Sequence, residues 1–468
     1  MQITESIFRT YDIRGVYPSE LDEKTSELLG KGFGSFFKTR QVKNVVVGRD
    51  NRFSSPSLSK SFIEGLLSSG CNVTYIQQTI TPVVHFLTCT HQFEAGVMVT
   101  ASHNPQEFNG LRPDYKHALP LYGRDLQIIK ELIEQNSFVT GEGILVEQDL
   151  NYLYTDYLVS LFNKIASFNV MLDLGNGSAS EIAPKIFEKL NQKVRLYNAN
   201  IAGGFALGIP DPENPIMMDR LSSEIKEADC DVGFAYDEDA DRFGLVDGNG
   251  LTYNSDKLLM LFAKYELREK KGKVLFDVKS TQQLFKTISS LGGVPMMIKT
   301  GHPYFVQEMK NNAIVGGEFS GHFFFGNNYF GYDDGIYASL KILEIMSYYK
   351  RPLTNLLDEF PKTYHTTELK LDCSDETKFV ILAKIAQVLE EIKFKYKSYI
   401  ALDGIRVNLS ETGWFLIRAS NTSPYISVRL EGASLEEAML LKERLFQMLS
   451  PFGFTNLDVI VNAKIFYS

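Results

Sequence analysis

Four short polar stretches of this chain carry residue types that can do chemistry together. In Thr100-Ala101-Ser102-His103-Asn104-Pro105, a hydroxyl and an imidazole follow the apolar run Ala95–Val99. Pro105 has no amide donor and biases Asn104 away from helix, so a strand ends there in a stiff loop. A serine so placed suits a covalent nucleophile, although neighbours in sequence seldom face each other productively and an isolated Ser-His pair is also an ordinary polar loop. In Asp237-Glu238-Asp239-Ala240-Asp241-Arg242, four carboxylates fall in five positions after the apolar run Asp231–Tyr236. Such a cluster is repulsive unless a cation neutralises it. Alternate spacing lets a curved loop aim Asp237, Asp239 and Asp241 at one point, and three oxygen ligands leave room for water or a phosphoryl oxygen, which suits Mg²⁺. The D-x-D-x-D spacing is not an EF-hand, because Arg242 stands where that loop needs glycine and Gly248 where it needs glutamate.

The third stretch, Gly316-Gly317-Glu318-Phe319-Ser320-Gly321-His322, sets a carboxylate, a hydroxyl and an imidazole at alternate positions between glycines. Acceptor beside donor-acceptor is what vicinal sugar hydroxyls require. The fourth, Arg418-Ala419-Ser420-Asn421-Thr422-Ser423-Pro424, offers a guanidinium, three hydroxyls and an amide on one turn, a cradle for phosphate.

The elements that must position these stretches follow from periodicity. In residues 1–147, a helix through Leu28–Phe37 precedes a strand at 44–48, a helix at about 57–69 and a strand at about 71–77; Thr81-Pro82 then opens a further helix. The glycines of Gly30–Gly34 sit inside the helical pattern, which excludes a dinucleotide-binding loop. Asn109-Gly110 reads as a tight turn, and Arg49 and Arg52 as structural ion-pair partners. Residues 148–250 give strands at 169–173 and 193–197, with Ser178 as a helix cap between them, then a long irregular loop at 202–215. Residues 251–362 continue the alternation, with a helix at about 255–268, strands at 274–277 and 296–298, and a helix opened by Asp333-Asp334-Gly335. In residues 363–468 the pattern changes. A helix at about 375–395 precedes close-set strands at about 399–402, 405–410, 414–418 and 425–431, and a helix covers about 434–450. That order predicts an antiparallel sheet with helices on one face, after three α/β segments.

A chain of 468 residues exceeds one core. A net charge of −9 argues against a nucleic-acid surface. The four scattered cysteines show no CxxC pair, which argues against zinc and fits a reducing compartment. The N-terminus Met-Gln-Ile-Thr-Glu-Ser lacks the pattern of an export signal and no apolar run is long enough to span a membrane, so a cytoplasmic protein is expected, free of membrane and acting as monomer or dimer.

Taken together, the motifs resemble the α-D-phosphohexomutases, in particular the bacterial phosphomannomutase/phosphoglucomutase branch, in order and over the whole chain. Thr100–Pro105 looks like the family's phosphoserine loop, Asp237–Arg242 its Mg²⁺ loop, Gly317–His322 its sugar-binding loop and Arg418–Ser423 its phosphate-binding loop. Tyr11 and Arg14 match the N-terminal motif, and Lys279 and Thr300-Gly301-His302 match further site positions. The resemblance implies three related α/β domains with mixed sheets and a smaller α+β domain with an antiparallel sheet, around a central cleft. It implies Ser102, His103, Arg112 and His302 at the reacting atoms, and a metal held by Ser102, Asp237, Asp239 and Asp241. Tyr11, Arg14, Lys279, Thr300, Gly301, His302, Glu318, Ser320, His322, Arg418, Ser420, Asn421 and Thr422 would hold a hexose phosphate. The implied reaction interconverts hexose 1- and 6-phosphates of mannose, glucose or both, through a phosphoserine and a hexose 1,6-bisphosphate.

One departure stands out. Where the family shows Asn-Gly-x-Lys, with the lysine assigned to proton transfer, this chain has Asn109-Gly110-Leu111-Arg112. An arginine stays protonated, so the proton falls to Lys116, His103 or His302. The sequence leaves three alternatives. A phosphoglucosamine mutase would tend to carry a Gly-Thr-Glu-Pro type of phosphate loop, unlike Ser420-Asn421-Thr422-Ser423-Pro424. A hydrolase would release phosphate to water, and a non-catalytic sugar-phosphate binder would carry no phosphoserine.

Overall fold

A computed structural model describes residues 3–205, 207–391, 398–421 and 423–467, and in it one strand pattern occurs three times. In the first copy, Asn44–Arg49 lies between Asn72–Gln78 and Ala95–Val99, parallel to both, and Phe108–Tyr115 pairs antiparallel to Ala95–Val99. In the second, Asn169–Asp173 lies between Lys193–Tyr197 and Val232–Tyr236, with Phe243–Asp247 antiparallel at the edge. In the third, Lys273–Asp277 lies between Val294–Ile298 and Ala313–Gly317, with Phe323–Phe325 antiparallel. The first sheet gains Ile13–Val16 at one edge and Leu145–Glu147 at the other. The third strand of each unit is buried along its whole length, as expected where helices cover both faces of a mixed sheet.

This pattern fixes where chemistry sits. Residues 100–107, 237–242 and 318–322 each connect the third strand of a unit to its antiparallel fourth. All three loops therefore leave the carboxyl end of a buried strand, where ligands of open α/β sheets bind.

Two helices of the α/β units start on a capping aspartate. Glu23–Thr39 starts after Asp22, whose carboxylate accepts the Thr25 amide at 2.7 Å. The glycines inside this helix serve packing: a Cβ on Gly30 would lie 2.1 Å from the Phe62 carbonyl of the neighbouring helix Ser55–Ser68. Asp334 caps Gly335–Tyr349 through the Tyr337 amide at 2.8 Å. Two expectations are corrected. Asn109-Gly110 is not a turn but lies inside Phe108–Tyr115, paired with Gly15 and Arg14. Glycine is needed there because a Cβ would meet the Ile13 carbonyl at 2.0 Å. Ser178 caps no helix; it begins the 3₁₀ turn Ser178–Glu181, and its hydroxyl donates to Glu238 at 2.8 Å.

The last sheet is antiparallel throughout, built on Ser398–Ile400, Ile405–Asn408, Trp414–Ala419 and Tyr425–Gly432. The helices Lys378–Glu391 and Leu435–Leu449 cover one face, packing on Phe415, Ile417 and Val428. Strand alternation sends Trp414, Leu416 and Arg418 to the other face, against Val278 of the third segment. There the Arg406 guanidinium stacks 3.6 Å from the centre of the Trp414 ring and donates to the Val278 and Ser280 carbonyls. A desolvated stack of this kind contributes about 2 kcal/mol, so the fourth segment is seated on the third while Arg418 points toward the cleft between them. Among the described residues, no helix is long and apolar enough to cross a membrane.

Candidate active site

Ser102 stands at φ 47°, a left-handed conformation that non-glycine residues seldom adopt and that the surroundings must enforce. The enforcing groups are identifiable. The Arg52 guanidinium, fully buried against Asp50, donates to the carbonyls of Ser102 at 2.5 Å, Asn104 at 2.7 Å and Pro105 at 2.7 Å. Arg14 donates to the Ala101 carbonyl at 2.9 Å and to the Asn104 side chain. Two arginines thus hold the loop from its two sides. Arg52 pairs structurally, as expected, whereas Arg49 donates to Tyr75 and a backbone carbonyl instead of an acid. The Ser102 hydroxyl lies 3.1 Å from His103 Nδ1 and donates to Asp237 at 3.0 Å.

Asp237, Asp239 and Asp241 present oxygens within 4.8 Å of one another, and Glu238 turns away toward Ser178 and Asn51. All three aspartates are buried. Burial, then Asp241, pushes Asp239 up to about 6, and the same causes raise Asp237 well above the carboxylate range. Asp239 Oδ1 accepts no hydrogen bond among the described residues. An orphaned buried oxygen, two carboxyls held above their ordinary range and a serine hydroxyl alongside form a donor set that fits Mg²⁺. The loop is partly neutralised by Arg242, which donates to Asp237 at 2.8 Å, and by Arg112, which pairs with Asp241.

Arg112 also grips Asp333 with two hydrogen bonds of 2.8 and 2.7 Å. From the sequence Asp333 reads only as a helix start, yet it anchors Arg112; its neighbour Asp334 does the capping. Lys116 is exposed and absent from the cleft wall, leaving His103 and His302. Burial, followed by the Arg242 and Arg14 charges, lowers His103 well below the usual imidazole range. Burial and Arg112 do the same to His302.

In the third loop, Glu318 accepts the Gly301 amide and lies 2.9 Å from His322 Nδ1, which also contacts Ser320 at 2.9 Å. Burial draws His322 down, but Asp241 and Glu318 outweigh it and hold the imidazole up at about 10. Gly301 is at φ 130°, beside the Tyr11 ring, and Tyr11 meets His302 edge-on at 5.1 Å. Thr300 donates to Asp277 at 3.1 Å, Lys279 pairs with Glu368 at 3.0 Å and Arg418 with Asp403 at 2.8 Å.

One cleft brings together Tyr11, Arg14, Ser102, His103, Arg112 and Asp241 from the first two segments and Lys279, Thr300, Gly301, His302, Glu318, Ser320 and His322 from the third. Arg418, Ser420 and Asn421 close it from the fourth; Thr422 lies outside the described residues. Asp237 and Asp239 sit beneath this wall, behind Ser102. The cleft also contains Asp12, the carboxylate between Tyr11 and Arg14 of the N-terminal motif, and Glu213, Glu368 and Tyr425, which no motif flagged. Glu213 and Glu368 come from irregular chain without periodicity, so no sequence signal marked them.

Four family models match the chain in succession: phosphoglucomutase/phosphomannomutase α/β/α domain I at residues 5–140, domain II at 152–250, domain III at 254–364 and the C-terminal domain at 368–448. The chain belongs to the phosphoglucomutase/phosphomannomutase family. A phosphomannomutase/phosphoglucomutase of Pseudomonas aeruginosa is 36% identical over 439 residues, covering 93% of this chain and 94% of that protein. A phosphoglucomutase of Neisseria gonorrhoeae is 34% identical over 441 residues, covering 92% and 93%. The crystal structure of a phosphoglucomutase/phosphomannomutase family protein from Burkholderia thailandensis superimposes with a TM-score of 0.89 at 30% identity, covering 99% of this chain and all of that one. The family resemblance read from the four motifs is borne out, as is the expected architecture of three mixed sheets and one antiparallel sheet.

Proposed function

We propose that the chain interconverts hexose 1-phosphates and hexose 6-phosphates of mannose, glucose or both, with Ser102 as the phosphoryl carrier. The observation that carries this reading is the convergence of the three equivalent loops and the Arg418 turn on one cleft, with the Ser102 hydroxyl on Asp237.

Phosphorylated Ser102 transfers its phosphoryl group to the free hydroxyl of the bound hexose phosphate, giving a hexose 1,6-bisphosphate. The bisphosphate turns over in the cleft, and its other phosphate returns to Ser102. Arg52 and Arg14 hold the serine loop so that the reacting oxygen keeps its place through both transfers. Asp237, Asp239 and Asp241, with an oxygen of phosphorylated Ser102, would hold Mg²⁺. The ion, when bound, supplies charge neutralisation at the transferring group. Glu318 and Ser320 read hydroxyls reachable in both orientations of the sugar, and the Arg418–Ser423 turn with Lys279 holds the phosphate that is not reacting. Arg112 is tied between Asp241 and Asp333 and is always charged, so it supports the acidic loop instead of moving a proton. The sugar hydroxyl's proton goes to His302, an imidazole on the cleft wall whose unprotonated form is favoured by burial and by Arg112, while His103, 3.1 Å from the Ser102 hydroxyl, serves the Ser102 side.

The test is Ser102→Ala assayed with glucose 1-phosphate and mannose 1-phosphate. The expected result is a fold retained and mutase activity lost with both; full activity in the variant removes the phosphoserine role. Phosphate release without isomerisation by the wild-type chain would favour a hydrolase instead.

A further inference from the structure

A bisphosphate that must turn around without escaping needs a cleft that closes for each turnover and reopens afterwards. An ion pair joins the first segment to the fourth close to the turns that line the cleft. Arg9 Nη1 donates to Asp375 Oδ2 at 2.9 Å. Neither residue belongs to the four loops, and neither lines the cleft.

The pair is connected at both ends to the site. On the first segment, the Arg9 amide donates to the Asp12 carbonyl at 2.9 Å, closing the tight turn that aims Tyr11 and Arg14 inward. The same turn therefore carries Arg9 outward to the rim. On the fourth segment, the other oxygen of Asp375 receives the Lys378 ammonium at 2.6 Å, and that ammonium also donates to the Ser423 carbonyl at 3.1 Å. Ser423 ends the Arg418–Ser423 turn, and its amide donates to Ser420 at 3.2 Å. Lys378 is 4% exposed, so its position is set by these two acceptors. The Asp375 carboxyl is pulled below its ordinary range, burial notwithstanding, by Lys378 and Arg9. An unbroken chain of charge-assisted contacts thus runs from the Tyr11 turn through Asp375 and Lys378 to the turn read as the phosphate cradle.

We infer that Arg9 and Asp375 form a cross-cleft latch whose closing positions the Arg418–Ser423 turn on the phosphate of the bound sugar. Both are positioning residues. The latch rests on the reading of that turn as the phosphate cradle. Partial exposure lets such a latch release: the Asp375 side chain is 42% exposed, and a pair in contact with water is weak, salt-sensitive and easily broken. A fully buried pair in the same place would hold the cleft shut. Lys378 stays with the cradle when the latch opens, so the turn keeps its shape and changes only its distance from the first segment.

The test compares wild type, Arg9→Ala, Asp375→Asn and the reversed pair Arg9→Asp with Asp375→Arg. Two quantities are read: the calorimetric affinity for glucose 6-phosphate, and mutase turnover resolved into KM and kcat with the released bisphosphate measured. Each single variant is expected to weaken affinity about fivefold and raise KM by a similar factor. The kcat at saturation should stay within about twofold, and more bisphosphate should leave per turnover. The reversed pair should recover most of the affinity, and 0.5 M salt should erase the difference between wild type and single variants, which loss of a purely structural contact would not do. Affinity unchanged in both single variants, or a reversed pair no better than either, overturns the latch. If the wild type turns over normally in that case, the mutase reading stands and only the latch falls. A wild type that binds no sugar phosphate overturns both.

Discussion

The loops Asp237–Arg242 and Glu318–His322 occupy the same place in two copies of one strand unit, and their electrostatics are opposite. The acidic loop holds Asp237 and Asp239 as reluctant charges, both raised by burial and by Asp241. The sugar loop is already satisfied: burial would raise Glu318, but His322 and the Gly301 amide hold it below its ordinary range. The fold decides that a loop stands at the cleft, and residue type decides whether its buried charges repel one another or are already paired. The two loops also meet, since Arg242 and His322 form a backbone bridge and His322 Nε2 lies 3.5 Å from Asp241. A change in one loop should therefore be felt in the other.

Substitutions can break this contrast, and the largest expected effect is on the acidic side. Asp239→Asn should lower turnover by about 10²–10³-fold, comparable to removing one electrostatic stabiliser of a transition state, and weaken Mg²⁺ binding measured by titration calorimetry. An unaltered metal titration would contradict the assignment of this loop. Next comes Glu318→Gln, which leaves the His322 charge with one partner fewer in a buried site. It should cost about 2–3 kcal/mol of stability in urea unfolding. The sharpest form of the comparison sets that loss against metal-free Asp239→Asn, where removing a repelled buried charge should stabilise the fold by about 1 kcal/mol. Opposite signs support the contrast; equal losses in both variants would dissolve it.

The last variant lies outside both loops and serves as a control. His365, on the strand Tyr364–His365 that joins the third and fourth segments, is pushed down to about 4 by burial and by Arg429. Its folded pKa lies below the unfolded value near 6.5, so folding disfavours its protonated form. Its contribution is complete above about pH 6.5 and is lost as the pH falls toward 4, by about 3 kcal/mol. His365→Gln should flatten that part of the stability profile and leave the metal titration untouched. A profile as steep in the variant as in the wild type would place the acid sensitivity elsewhere.

Much of this was legible in the sequence for physical reasons. Strands that are buried on both faces read as apolar runs, and the polar loops that end them stand out by contrast. Strand–helix alternation marked the three α/β units, and the close-set strands after residue 398 marked the antiparallel sheet. What did not show is what depends on long-range pairing. Asn109-Gly110 looks like a turn because its residue types favour turns, but the strand Ile13–Val16 passes so close that only glycine fits. Arg52 reads as a local ion-pair partner, and its three bonds to the serine loop and one to Phe108 beyond it depend on residues some 50 positions away. Asp333 and Asp334 look like one helix-capping pair, and three-dimensional packing divides them between Arg112 and the helix. The fate of Arg112 itself needed the structure, since only there do Asp241 and Asp333 lie on either side of it.

The most direct measurement is peptide mass spectrometry on freshly purified protein, coupled to a single turnover with labelled glucose 1-phosphate or mannose 1-phosphate. Phosphate is expected on Ser102, followed by its transfer to the sugar and its replacement from the bisphosphate while 6-phosphate accumulates. A Ser102 that stays unmodified and that hexose 1,6-bisphosphate does not phosphorylate, in a chain that still binds the sugar phosphate, would contradict the phosphoserine mechanism and mark a binding protein in which Arg112 has replaced the proton carrier.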